Sequence, residues 1–151
     1  MPPPIHINIA QPQDIPALCH LLGTLFAQEQ EFSPDRAAQQ QGLEQILSDA
    51  NLGFIMTATM DNQIVGMVNV LFSVSTALGA RVALLEDMVV SDKFRGRGIG
   101  SALLQAAISE AGRQGCKRIT LLTDTDNTAA QRFYQRHGFV ASTMLAMRLI
   151  L

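Results

Sequence analysis

The tightest constraint on this chain lies between Leu84 and Ala111. An apolar, β-branched run, Leu84 to Val90, carries two adjacent acids, Glu86 and Asp87. A basic, glycine-rich turn follows, Arg95-Gly96-Arg97-Gly98-Ile99-Gly100-Ser101, and then Leu103, Leu104, Ala107, Ile108 and Ala111 recur at helical spacing. The order is strand, turn, helix. The start of a helix leaves four backbone N–H groups unpaired and carries about half a positive charge. Glycines let a ligand approach that backbone closely. Such a turn is suited to an anion, phosphate above all.

Three architectures place a glycine-rich turn between a strand and a phosphate-holding helix. A nucleoside-triphosphate loop needs a Lys directly after its last glycine, and no Lys follows any of these. A dinucleotide fold needs G-x-G-x-x-G; Gly96-x-Gly98 is followed by Ser101 at the third small position, and the tail beyond Asp124 is too short for that fold's remaining strands. The third pattern fits. Arg95-x-x-Gly98-x-Gly100 resembles the acyl-coenzyme-A signature R/Q-x-x-G-x-G/A of the GNAT superfamily of N-acetyltransferases. Downstream, Asn127-x-x-Ala130-x-x-Phe133-Tyr134-x-x-x-Gly138-Phe139 resembles the second motif of that family, in the expected order.

Composition bounds the rest. A chain of 151 residues, 48% hydrophobic and 16% charged, is one domain over 1–151 with material for a real core, its Met1-Pro2-Pro3-Pro4 start expected to be flexible. Formal net charge is -2, and the arginines gather around one turn, so nucleic acid, which favours a broad basic surface, is not an expected partner. Two cysteines, Cys19 and Cys116, with no signal-peptide pattern and no apolar run of bilayer-spanning length, point to a cytoplasmic protein with no membrane partner.

Ile5, Ile7 and Ile9 alternate as in a half-buried strand. Asp14 and Pro16 open a helix whose stripe is Ile15, Leu18, Leu21, Leu22 and Leu25. After Ser33-Pro34, Asp35 caps a second helix in which Leu43, Ile46 and Leu47 pack inward and Gln39-Gln40-Gln41 is a solvated face. Gly53 to Met60, a turn at Asp61-Asn62-Gln63, and Ile64 to Val74 make a hairpin. Gly66 within it marks a bulge, a close backbone approach or simple small-residue packing. Ser73 to Ala80 is expected to be a mobile loop. Gln114-Gly115 ends the central helix, Arg118 to Thr123 forms a strand, Asp126 or Asn127 caps a helix ending at Gly138, and strands from Phe139 and from Thr143 to Leu151 close the chain. The expected fold is α/β, a mixed sheet with helices on both faces in the order β-α-α-β-β-β-α-β-α-β-β, and the family resemblance implies the same.

Acyl transfer from a thioester to an amine needs a deprotonated amine, a polarised carbonyl and a protonated sulfur leaving group. An alkylammonium of pKa ~10 is nucleophilic in only about one molecule per thousand at neutral pH. A carboxylate in an apolar strand is suited to take its proton, and strand alternation puts Glu86 on the face of Leu84 and Met88, with Asp87 opposite. Alternation does not decide which acid faces the cleft; the resemblance implies Glu86 as general base, directly or through a water. A buried Glu86 paired with Arg81 for structural reasons is the alternative, and Asp87 is expected in a capping or ion-paired role.

Tyr134, protonated at neutral pH, is the expected proton donor to the departing thiolate. Asn127, seven residues earlier, shares its helix face. The resemblance assigns Tyr134 to the sulfur and Asn127 to the coenzyme arm, though Asn127 is equally suited to capping alone. Arg95, Gly96, Arg97, Gly98, Ile99, Gly100 and Ser101 are the expected pyrophosphate cradle, with Arg97 either on the ribose phosphate or merely solvated. The resemblance also implies that main-chain groups of Met88, Val89 and Val90 pair with the pantetheine and polarise the thioester.

His6 and His20 have no partners at metal-ligand spacing, His137 suits a helix end, and Cys116 suits packing, so no metal is expected. Acetyl-CoA is the implied cosubstrate. The acceptor is expected to be a primary amine of a small molecule, peptide or protein, lying between the first two helices and the Ser73 to Ala80 loop, where Glu29, Glu31 and Asp35 favour a cation. The apolar Met144 to Leu151 tail is compatible with a homodimer. A second functional class is a noncatalytic acyl-CoA-binding regulatory or partner module of the same fold; the presence of both Glu86 and Tyr134 favours the enzyme.

Overall fold

The computed structural model describes residues 3–29 and 33–151; Met1, Pro2 and the segment 30–32, with Glu31, lie outside the described residues. Two compact units make up the chain, Met1–Leu121 and Leu122–Leu151. The first contains β1 (His6–Ile9), α1 (Ile15–Gln28), α2 (Arg36–Ser48), β2 (Gly53–Met60), β3 (Gln63–Ser75), β4 (Ala80–Val90), α3 (Ile99–Arg113) and β5 (Ile119–Leu121). They form one sheet in the order β1-β2-β3-β4-β5. The first four strands are antiparallel neighbours, and β5 is parallel to β4.

Local chemistry explains the joints. Asp61 and Asn62 have φ of 51° and 61°, the pair of left-handed residues that a two-residue hairpin turn requires. The expected mobile loop at Ser73 to Ala80 is instead a second tight hairpin, with Ser73 opposite Val82 and Ser75 opposite Ala80. Ser75 Oγ accepts the Leu78 N–H at 3.1 Å and so closes a turn that low hydrophobicity alone had marked as open. Asp35 caps α2 through the Ala38 N–H, as expected. Gln39 departs from the solvated-face expectation: it is buried, and its amide N–H donates to the Cys19 carbonyl at 2.9 Å, tying α2 to α1.

α1 and Leu43 of α2 cover one face of the sheet, where Leu18, Cys19, Leu21 and Leu22 pack on Ile55, Met67 and Val89. α3 covers the other, burying Ile99, Leu103, Leu104, Ala107 and Ala111. Gly66 permits that seat. A β-carbon there would stand 2.9 Å from Leu103 Cδ1 and 3.4 Å from Ile99 Cγ2. Close approach is therefore its role, beside a bulge that leaves Val65 without a partner between the pairs Ala58–Gly66 and Thr59–Ile64.

The second unit holds α4 (Thr128–Arg136). Its Gly138, φ 96°, and the Phe139 N–H donated to the Tyr134 carbonyl at 3.1 Å make a left-handed helix stop. Around it Tyr134 meets Phe133 and Phe139 edge to face, and His137 lies tilted against Phe133. The two closing strands expected beyond Phe139 are not formed. Residues 139–151 carry no ladder, and Val140, Met144, Leu145, Met147, Leu149 and Ile150 are exposed. Apolar alternation gives a segment strand propensity, but a strand exists only when an edge accepts its N–H and C=O groups. Here the Met144 N–H is taken locally by Ser142 Oγ at 3.0 Å. The mixed α/β class is otherwise as expected. Among the described residues no helix is long and apolar enough to cross a membrane.

Candidate active site

β4 and α3 are joined by a short 3-10 turn, Asp92–Phe94, and then by the glycine segment. Gly96 and Gly98 both adopt the left-handed region, with φ of 77° and 80°. Gly98 occupies the N-cap of α3, so no side chain caps the helix, and the Ala102 N–H donates to the Gly98 carbonyl at 3.1 Å. A β-carbon at Gly98 would meet no protein atom within 4 Å. The glycine is required by its backbone angle, not by packing. Arg95 pairs with Asp92 at 2.9 Å and donates from Nε to the Val90 carbonyl at 3.3 Å, while the Arg97 guanidinium lies 5.1 Å from the Phe94 ring centre. Both exposed cations stand beside the helix start.

The parallel ladder between β4 and β5 ends at Leu85–Leu121. Beyond it, Asp87 to Val90 remain paired with β3 on one side but have no β5 partner on the other. That leaves main-chain groups of Met88, Val89 and Val90 on an edge where an extended ligand arm can add like a strand.

A bulge sits where the acids are. Asn69 pairs with Asp87 and Val70 with Leu85, so Glu86 is the extra residue on β4 and has no partner on β3. Simple alternation, which puts Glu86 on the face of Leu84 and Met88, fails at a bulge because the inserted residue re-aims its side chain. Glu86 is exposed and makes no ion pair with Arg81, which donates to Gln114 at 3.4 Å and stacks over Phe72. Partial desolvation, reinforced by the negative charge of Asp87, holds the Glu86 carboxyl above the usual glutamate range.

Asp87 turns towards α1 and α2. Its carboxylate accepts the Asn69 amide at 3.0 Å, and both residues line a cavity of about 250 Å³ whose walls include Leu22, Phe26, Leu43 and Ile46. Burial raises the Asp87 pKa, partly offset by the Asn69 hydrogen bond. Asn69 is only 4% exposed, and its carbonyl oxygen Oδ1 is buried without a partner. An unpaired buried acceptor costs about 1–3 kcal/mol. Asn69 was not singled out from the sequence; an amide in an apolar strand beside a paired acid was its available signal. Asp87, expected as a cap or ion-pair partner, is neither.

A raised folded-state pKa means that ionised Asp87 costs stability. The penalty is absent below the ordinary carboxylate range and complete above the raised value. Asp87→Asn is therefore expected to raise the Tm at neutral pH and leave it near wild type at acid pH. Thermal unfolding across that window checks it, and an equal or lower Tm at neutral pH contradicts it.

In the second unit, Asn127 Oδ1 accepts the Ala130 N–H at 3.1 Å and caps α4. Burial pushes the Tyr134 phenol up to about 12, so it is protonated throughout the neutral range. Gln131 donates to the carbonyls of Asp124 and Thr125, fixing the loop into α4. Among the described residues no cluster of His, Cys, Asp and Glu is arranged to hold a metal.

The Acetyltransferase (GNAT) family model matches residues 15–139. The uncharacterized N-acetyltransferase YhfO of Bacillus subtilis is 30% identical over 125 residues, 81% of this chain and 83% of that protein. The aminoalkylphosphonate N-acetyltransferase of Salmonella typhimurium is 26% identical over 140 residues, 93% of this chain and 88% of that one. In fold, the chain is similar to the aminoglycoside N-acetyltransferase AAC(6')-Iy solved in complex with CoA, with a TM-score of 0.83 at 19% identity over 99% and 97% of the two chains. A family match that begins at the first residue of α1 and ends just beyond α4 takes in β4, the glycine turn and the Tyr134 helix, and the chain belongs to the GNAT family of acetyltransferases, acyl-transferring enzymes.

Proposed function

We propose that the protein transfers the acetyl group of acetyl-CoA directly to a primary amine of a small molecule or peptide. The observation that carries this is the uncapped start of α3 behind two left-handed glycines, next to a β4 edge that β5 leaves open. The cradle suits a diphosphate: Gly96, Gly98 and Gly100 admit it to the N–H groups from Ile99 to Ser101, and Arg95 and Arg97 supply charge. Binding there exchanges the Arg95–Asp92 pair for a stronger anion. The Met88 to Val90 edge then aligns the pantetheine arm and polarises the thioester carbonyl. Asn127, whose side chain caps α4, would meet the arm through that helix start.

In the reaction, the amine nitrogen forms a bond to the thioester carbon and the carbon–sulfur bond breaks. Glu86 takes the proton lost from the amine, and Tyr134 gives one to the sulfur. The raised pKa of Glu86 supports the first role, since it brings the base closer to neutrality. The protonated state of the phenol supports the second. Without a covalent acyl-enzyme, the kinetics are sequential.

The test is calorimetric binding of acetyl-CoA combined with coenzyme release over a panel of primary amines. Turnover on at least one amine is expected, with Tyr134→Phe slower by about 10²–10⁴-fold. Tight acetyl-CoA binding with no turnover on any amine, and no effect of the Tyr134 substitution, would instead support a noncatalytic coenzyme-binding module.

A further inference from the structure

We propose that the cavity between α1, α2 and the β3–β4 bulge is the acceptor subsite, that the Asn69 carbonyl oxygen and Asp87 carboxylate are its anchor, and that it selects a primary ammonium on an apolar stem. This rests on the acetyltransferase reading above and names the substrate class of that same site. The polar groups around the cavity are unequally occupied. Both ends of the Gln39 amide are used, the N–H by the Cys19 carbonyl and the oxygen by the Asp35 N–H at 3.1 Å. Asp35 caps α2. Asn69, a residue of the cavity lining, spends an N–H on Asp87, which leaves its Oδ1 buried and unsatisfied.

The β3–β4 wall offers an amide oxygen and a carboxylate with lone pairs beyond the one given to Asn69, and Ser33 and Asp35 before α2 add a hydroxyl and a second carboxylate. An ammonium carries three donors and no acceptor, whereas a hydroxyl or carboxamide brings acceptors of its own. Leu22, Phe26, Leu43 and Ile46 then suit a hydrocarbon stem and disfavour a polyhydroxylated one. Seizing the acceptor as its cation falls to Asp87 and Asn69, and removing its proton to Glu86, the neighbouring residue at the same bulge.

The full chain, saturated with coenzyme A, is titrated calorimetrically with phenethylamine and with its uncharged counterpart 2-phenylethanol. The amine should bind about tenfold or more tightly than the alcohol, and Asp87→Asn should abolish that preference. Gly42→Leu serves as a second variant: Gly42 lines the cavity on α2, and a β-carbon there meets nothing within 4 Å, so the substitution adds apolar bulk beside the chamber at a helix position with room for it. It should keep the Tm and the acetyl-CoA affinity of the wild type while weakening phenethylamine about tenfold or more. In turnover, Asp87→Asn should raise the KM for the amine by a larger factor than it changes kcat, and should move the acid limb set by Glu86 to lower pH.

Equal binding of amine and alcohol, or unaltered amine affinity in both variants, overturns the subsite even if some amine is acetylated. A collapse of kcat at unchanged KM in Asp87→Asn also overturns it, because Asp87 would then be the base. Variant-sensitive amine binding without coenzyme release from any amine leaves the subsite standing and removes the acetyltransferase reading.

Discussion

Glu86→Gln is expected to lower kcat by about 10²–10⁴-fold at neutral pH, the usual loss when a positioned proton acceptor is removed. The substitution keeps size and shape and removes only the charge. Because the side chain is exposed, stability should stay within about 0.5 kcal/mol of wild type, so the rate change reports chemistry. The pH profile gives the sharper sign. A base works when ionised, so the wild-type rate should climb through an acid limb lying above the ordinary glutamate range, where desolvation and Asp87 hold this carboxyl. Glu86→Gln should lose that limb and retain only the rise due to the amine itself. A kcat within a few-fold of wild type, with the limb intact, would remove Glu86 from the mechanism.

Gly66→Val should damage fold and coenzyme affinity together. The first added carbon would already stand 2.9 Å from Leu103 Cδ1 and 3.3 Å from the Val89 carbonyl oxygen, and the two further methyl groups enlarge the conflict. Overpacking of this kind costs about 1–3 kcal/mol, more than the roughly 1 kcal/mol spanned by strand propensities, so the clash outweighs the gain from a β-branched residue. For a chain of this size the Tm should fall by about 2–4 °C per kcal/mol. Ile99, the first residue of α3, is among the displaced contacts. A shift there moves the N–H groups proposed to hold the diphosphate, and acetyl-CoA affinity should drop about tenfold. A lower Tm with unchanged affinity would show that the seat of α3 does not set the cradle.

The glycine turn and the helix behind it were legible because their requirements are local. Left-handed backbone at Gly96 and Gly98 and an amphipathic stripe from Leu103 to Ala111 are properties of a short stretch, and residue type reports them directly. The same holds for the Asp61–Asn62 turn and for Asp35 and Asn127 as caps. The acids were legible as residues but not in their directions. A bulge depends on how two strands align, and a single inserted residue at Glu86 cancels the alternation from which its face was inferred.

Residue order alone therefore settled the family pattern, the strand-turn-helix order around the glycine segment and most elements, since these follow from spacing within one segment. Tertiary structure decided that Asp87 meets Asn69 in an apolar cavity, that Gln39 is an internal tie, and that the apolar tail beyond Phe139 forms no strand. Each of these needs a partner far along the chain, and the energy of a buried hydrogen bond or a strand edge belongs to the pair, not to either sequence segment by itself.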